Sequence, residues 1–158
     1  MKYLFIFPFM FNEERFTLFN FCISRIKSQL TKCNINAKIL INEIGKNKIL
    51  SDDWLHDKCD YHVFTFCNDT IFNRAWSFNT AIKSFKFEND TKLILMDTDL
   101  VLKDEWIKNL DRLYNRKFMI GWSGIYYLNE KFTNLLLSRF IRYVISKTSK
   151  LTGIRCLS

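Results

Sequence analysis

The sequence predicts an α/β fold, a mostly parallel sheet with helices on both faces. Three observations predict it. Short apolar runs such as Leu4–Phe9 and Leu93–Met96 read as buried strands. Segments with helical apolar spacing separate these runs, and such alternation gives a parallel sheet covered on both sides. The 158 residues are 48% hydrophobic with one proline, enough for a single domain, residues 1–158, with a real core.

The elements follow in order. Tyr3 to Phe9 is a first strand. The apolar run around it has one Lys and lacks a small-residue cleavage site, so it is read as a strand and not a signal peptide. Glu13 to Leu30 is a helix, with Leu18, Phe21, Cys22, Ile26 and Leu30 near helical spacing. Ala37 to Asn42 is the second strand. Ser51-Asp52-Asp53 starts a short helix to Lys58. Tyr61 to Phe66 is the third strand. Asp69-Thr70 opens a helix from Ile71 to Phe85, with Ile71, Ala75, Phe78, Ile82 and Phe85 on one side. Leu93 to Met96 is the fourth strand, and Asp104 to Tyr114 a helix that buries Trp106, Ile107, Leu110 and Leu113. A strand begins at Phe118 to Ile120 and extends through Tyr126-Tyr127-Leu128. The last helix runs from Phe132 to Ser146. No apolar run approaches the length of a transmembrane helix.

Charge and cysteine content narrow the function. The formal charge is +8, and the segment from Lys131 onward holds six basic residues and no acidic one. A basic helix with Leu135, Leu136, Phe140, Ile141 and Val144 on one side can lie on the inner face of an anionic membrane. The alternative is a helix packed on the sheet with its charges in water. The basic residues are not interleaved with a nucleic-acid module, so no nucleic-acid partner is expected. Five Cys without a CxxC pair or zinc spacing read as reduced thiols in the cytoplasm. His56 and His62 read as surface or loop residues.

The feature that carries chemistry is Asp97-Thr98-Asp99 at the end of the fourth apolar run. Side chains alternate across a strand, so the two carboxylates point to one side as the chain leaves the sheet. Paired carboxylates at a strand's C-terminal end suit a hard divalent cation that shares its oxygen ligands with substrate phosphates. A solvated acidic turn is the alternative reading.

Four blocks occur in the order of a GT-A glycosyltransferase, in the family 2 and β-1,4-galactosyltransferase-like group. Phe7-Pro8-Phe9-Met10-Phe11-Asn12-Glu13-Glu14-Arg15 is similar to that group's first strand end and first helix start. Glu43 stands where the fold often places an acidic residue near the nucleoside. Phe72-Asn73-Arg74-Ala75-Trp76-Ser77-Phe78-Asn79 resembles the group's F-N-R-A-x-x-x-N segment, and Asp97-Thr98-Asp99-Leu100 resembles its D-x-D motif. The resemblance spans about residues 3 to 128.

It implies that Asp99, with Asp97, binds Mn²⁺ or Mg²⁺ on the diphosphate of a UDP-sugar, and that Asp97 faces the ribose or donor sugar. It implies that Arg74 binds the nucleotide, Phe72 packs near the base, and Pro8 shapes the strand end beneath it. Arg15 and Asn79 are further binding candidates, and the acceptor is a glycan or lipid-linked sugar. The group's Gly-rich acceptor segment and its W-G-x-E-D-like block have no counterpart here, and no Asp or Glu follows Glu130. An inverting transfer needs a base near the acceptor hydroxyl. The expectation is therefore a C-terminally truncated enzyme, or a non-catalytic remnant that serves as a binding module. Asp97-Thr98-Asp99-Leu100-Val101 also resembles the nucleophile motif of haloacid-dehalogenase-like phosphatases. That reading lacks the downstream acidic pair it needs, since Asp104-Glu105 lies too close.

Overall fold

The computed structural model describes residues 2–88, 90–110 and 131–138. The chain divides into two compact units, residues 1–119 and 120–158. In the first unit, β1 (Tyr3–Met10), β2 (Ala37–Gly45), β3 (Tyr61–Phe66) and β4 (Lys92–Leu95) form a four-stranded parallel sheet in the order β3-β2-β1-β4. Helices α1 (Glu13–Lys32), α2 (Asp52–Lys58), α3 (Arg74–Ser84) and α4 (Asp104–Lys108) connect or follow the strands. The protein is thus α/β with a parallel sheet in a Rossmann-like arrangement. In the second unit, residues 131–138 are helical. The expected strand at 118–128, residues 111–114 of the fourth helix, and the expected helix beyond 138 lie outside the described residues.

β1 organises the sheet. All its residues except Met10 are buried, and it pairs with β2 on one edge and β4 on the other. Tyr3, Phe5, Phe7 and Phe9 project to one face, where they meet Phe19, Ile23 and Ile26 of α1, Leu55 of α2 and Ile107 of α4. Phe9 stacks on Phe19 with ring centroids 4.8 Å apart, and Trp54 of α2 closes the cluster against Phe16 and Phe19. Leu4 and Ile6 project to the other face and meet Phe78 and Ala81 of α3. The helices therefore cover both faces. This division follows from topology. The chain steps outward from β1 to β2 to β3, then returns to the far side of β1. Right-handed crossovers put helices for the two directions on opposite faces.

Local signals set the element ends. Asn12 caps α1, its side chain accepting from the Arg15 N–H. Asn34 follows α1 in the left-handed region at φ 51°, a conformation that Asn tolerates better than most residues. Ser51 caps α2. The third helix departs from expectation. It begins at Arg74 and not at Ile71, because Asn73 accepts from the Trp76 N–H and supplies the cap in place of Asp69-Thr70. Ile71 is left 80% exposed, outside the helix.

Pro8 lies inside a central strand, where proline normally removes a ladder bond. Its position explains why it is tolerated. Even-numbered β1 residues direct their backbone groups toward β4, since the Lys2 and Ile6 carbonyls accept from the Lys92 and Met96 N–H groups. Pro8 would be the next to bond β4, and it has no N–H to give. The β1–β4 ladder ends at the Ile6–Leu95 pair, while the β1–β2 ladder continues to Met10 and Ile44. Loss of one donor thus frees the chain after β4 just where Asp97 begins.

Asn42 ties α3 to the sheet. Its side chain is fully buried, donates to the Ser77 carbonyl (2.8 Å) and Thr80 Oγ1 (3.2 Å), and accepts from Thr65 Oγ1 (2.7 Å). Truncation would leave buried partners unmet. Asn42→Ala is expected to destabilise the first unit by about 2–3 kcal/mol in urea unfolding. A loss below about 0.5 kcal/mol would show that these bonds do not hold α3.

Candidate functional site

The candidate site lies where the strand order reverses, outside the C-terminal ends of β1 and β4. In open parallel sheets the ligand crevice forms at such a switch point. Four pieces of chain converge there. They are the start of α1 after β1, the loop 96–103 after β4, the first turn of α3, and the β1 end shaped by Pro8.

The loop after β4 is fastened at both ends. Met96 is fully buried and donates its N–H to the Ile6 carbonyl at 3.0 Å. At the far end Leu102 is buried in the α1-side core, and Arg25 of α1 donates from Nε to its carbonyl at 3.2 Å. Between these anchors stand the two carboxylates. β4 ends at Leu95 and residues 98–99 form a turn, so strand alternation does not extend through the pair. Asp97 instead turns toward α3, and Arg74 Nη1 stands 3.0 Å from Asp97 Oδ2. Asp99 is exposed, and no described residue donates to its carboxylate.

The electrostatics at Asp97 oppose one another. Partial burial pushes its carboxyl above the ordinary carboxylate range, Arg74 pulls it down, and Asp99 pushes it up. The Asp99 charge also reaches Cys22 of α1. That thiol is pushed up to about 12, first by burial and then by Asp99, with Arg25 pulling it down. The loop therefore concentrates negative charge between the two helix layers, with one arginine from each layer against it.

The other residues singled out from the sequence are placed as follows. Pro8 is buried in β1 at the end of the sheet where the acidic loop starts. Arg15 is exposed in the first turn of α1, at the same end of the sheet. Phe72 is half-buried just before α3. Asn79 is exposed on α3 about 140° around the helix from Arg74, while Ser77, Phe78 and Ala81 face the sheet. The structure does not bring Asn79 to Asp97.

Glu43 is also engaged elsewhere. It lies inside β2, 1% exposed, on the α1 face. Its Oε1 accepts from the Ile49 and Leu50 N–H groups at 2.5 and 2.9 Å, and its Oε2 lies 3.0 Å from His62 Nε2. These bonds hold the β2–α2 loop. His62 is correspondingly not a loop residue but part of β3, with 17% of its side chain exposed.

Sequence reasoning missed Arg25, Asn42 and Asn73. Asn73 carried a signal, a capping residue directly before a helix-forming run. Arg25 and Asn42 carried none, because their partners lie 77 and 35 residues away. Among the described residues no group of three or more His, Cys, Asp and Glu side chains gathers as a metal site. Two carboxylates suit a cation that draws its remaining ligands from phosphate and water, as Mg²⁺ commonly does. No family model and no curated protein matches the chain.

Two outcomes test this geometry. Glu43→Ala is expected to cost about 3 kcal/mol of stability, since it strands the loop N–H groups and removes the His62 partner. Asp97→Asn tests the acidic loop. The folded-state pKa of Asp97 is raised, so ionising it costs folding stability, and that cost grows as pH rises through the folded value. Asp97→Asn should therefore melt above the parent at pH 7, and the two curves should converge below the ordinary value of 3.8. An equal or lower melting point at pH 7 would contradict this account.

Proposed function

We propose that this chain is the nucleotide-sugar-binding part of a GT-A-type glycosyltransferase, taking a nucleoside diphosphate sugar with a divalent cation. The observation that carries the reading is the Arg74–Asp97 ion pair at the switch point of the sheet. It joins the F-N-R-A-like and D-x-D-like segments, two stretches whose resemblance to this group was independent of any contact between them.

Each side chain has a task that its position allows. Asp99 and Asp97 would hold Mn²⁺ or Mg²⁺, which when bound supplies positive charge to the diphosphate. Arg74 presents a planar guanidinium whose donors match phosphate oxygens. As the bond from sugar to diphosphate breaks, negative charge grows on the leaving group, and a fixed cationic neighbour stabilises it. Pro8 keeps β4 from pairing further with β1, which leaves the crevice open. Phe72 and the 38%-exposed Trp76 offer aromatic surface near the nucleoside.

The β1–α1 loop argues against a dinucleotide-binding site of the Rossmann kind. Such a site needs glycines for close approach to the pyrophosphate at a helix N-terminus. Here the loop is Phe11-Asn12, followed by Glu13 and Glu14 in the first turn. Two carboxylates at that position repel a diphosphate. The diphosphate is therefore assigned to the Arg74 side.

Transfer requires an acceptor held in line and a base for its hydroxyl. The proposed role of this chain is donor binding, toward transfer to a glycan or lipid-linked acceptor. No helix among the described residues is long and apolar enough to cross a membrane. In residues 131–138, Phe132 and Leu135 are 55% and 47% exposed, which fits the proposed contact of this basic segment with a membrane surface.

Calorimetry with UDP in Mn²⁺ and in EDTA tests the proposal. UDP should bind about tenfold or more tightly in Mn²⁺ than in EDTA, and Asp99→Ala should remove most of that gain, the loss of one metal ligand. Equal heats with Mn²⁺, with EDTA and in Asp99→Ala would overturn it. Incubation with UDP-sugars and simple acceptors should release UDP no faster than donor hydrolysis. Cleavage of generic phosphate esters that is lost in Asp97→Ala would favour the phosphatase alternative instead.

A further inference from the structure

We infer that Arg74 is a displaceable counter-ion for Asp97, which it releases when a divalent cation arrives and then turns to the diphosphate. This rests on the metal–diphosphate reading above and adds a coupling between its two ligands.

The geometry sets the two roles of Arg74 in competition. Its Nη1 lies 3.0 Å from Asp97 Oδ2, an oxygen that a cation would use. A guanidinium cannot give up its charge near neutral pH, so it can vacate the carboxylate only by moving. The structure leaves it free to move. Its backbone is fixed as the first residue of α3, held by the Asn73 cap, while 63% of its side chain is exposed. Swinging away breaks one solvent-accessible ion pair, a weak interaction, and buries nothing.

The charges give a reason for both states. Without a cation, Asp97 bears the cost of partial burial beside a second carboxylate, and Arg74 is the positive charge that offsets it. A divalent cation held by Asp97 and Asp99 would carry twice that charge. Arg74 then becomes surplus and is repelled. Its donor fork matches the oxygens of a diphosphate drawn to the same cation.

The loop itself need not follow. Arg25 holds the Leu102 carbonyl from the α1 side, and Met96 is bonded to Ile6. Departure of Arg74 leaves both anchors in place. The exchange is therefore a side-chain swap across a fixed loop. It makes the cation and the diphosphate favour one another, by the same factor in each direction.

The full chain can be titrated with Mn²⁺ alone, with UDP in EDTA, and with UDP in saturating Mn²⁺, using the parent, Arg74→Gln and Asp97→Asn. Arg74→Gln should bind Mn²⁺ alone roughly threefold to tenfold more tightly, because the competing cation is gone. It should leave metal-free UDP affinity within about twofold, yet weaken Mn²⁺-loaded UDP binding about tenfold. Asp97→Asn frees the guanidinium from the start and should tighten metal-free UDP binding. Mn²⁺ binding that is unchanged in Arg74→Gln, with UDP binding weakened equally in both conditions, would overturn the exchange and leave the metal site standing. Absence of Mn²⁺ binding in all three proteins would overturn the exchange together with the site.

Discussion

Strand β1 is buried on both faces and bonded along both edges, and the placement of the other elements of the first unit follows from that. A strand in this position must be apolar at successive residues, which Leu4-Phe5-Ile6-Phe7 satisfies. The aromatic face needs a long apolar helix to cover it, and α1 supplies Phe19, Ile23 and Ile26. The aliphatic face is smaller and takes the shorter α3. Burial of this kind is the main favourable term in folding, so the strand that buries most sets the frame. The same strand contains the one residue that cannot bond its neighbour. Pro8 ends the β4 ladder at the level where the acidic loop starts, and the core strand thereby sets where that loop leaves the sheet.

Two buried polar groups do the fine positioning. Asn42 fixes α3 against the sheet through Ser77 and Thr80, which sets the height of the α3 first turn and hence of Arg74. Glu43 fixes the loop into α2 through two backbone N–H groups and His62. They are adjacent in β2 and point to opposite faces, so each serves a different helix layer. A polar group in such surroundings is costly unless every bond is met, which explains why both have several partners.

The acidic loop is held from both layers of the molecule. Arg25 bonds its backbone and Arg74 bonds its carboxylate. The first contact is partly buried and structural in character. The second is exposed and electrostatic. A loop with one firm and one loose tether keeps its shape while one side chain remains available, an arrangement suited to a ligand that brings its own charge.

The sequence by itself determined the kinds and order of the elements. Apolar runs, helical spacing and capping residues act between near neighbours, so β1, α1, α2 and β3 emerge within two residues of the expected bounds. The same local logic located Asp97 and Asp99 after the fourth strand, but not that strand's surroundings: the run reads as buried, whereas β4 is half-buried, with Leu95 43% exposed. It failed where two local signals competed, at the start of α3, where Asn73 outweighed Asp69-Thr70 because its side chain reaches a helix N–H. The tertiary structure alone decided which side chains meet. Nothing local distinguishes Glu43 at the end of a strand from Glu43 buried inside one, since that depends on β2 continuing to Gly45 beside β3. Arg74 meets Asp97 only because the chain crosses the sheet after β3 and pairs β4 with β1. Register and crossover fix that contact, and both are properties of the whole sheet that no short window of sequence contains.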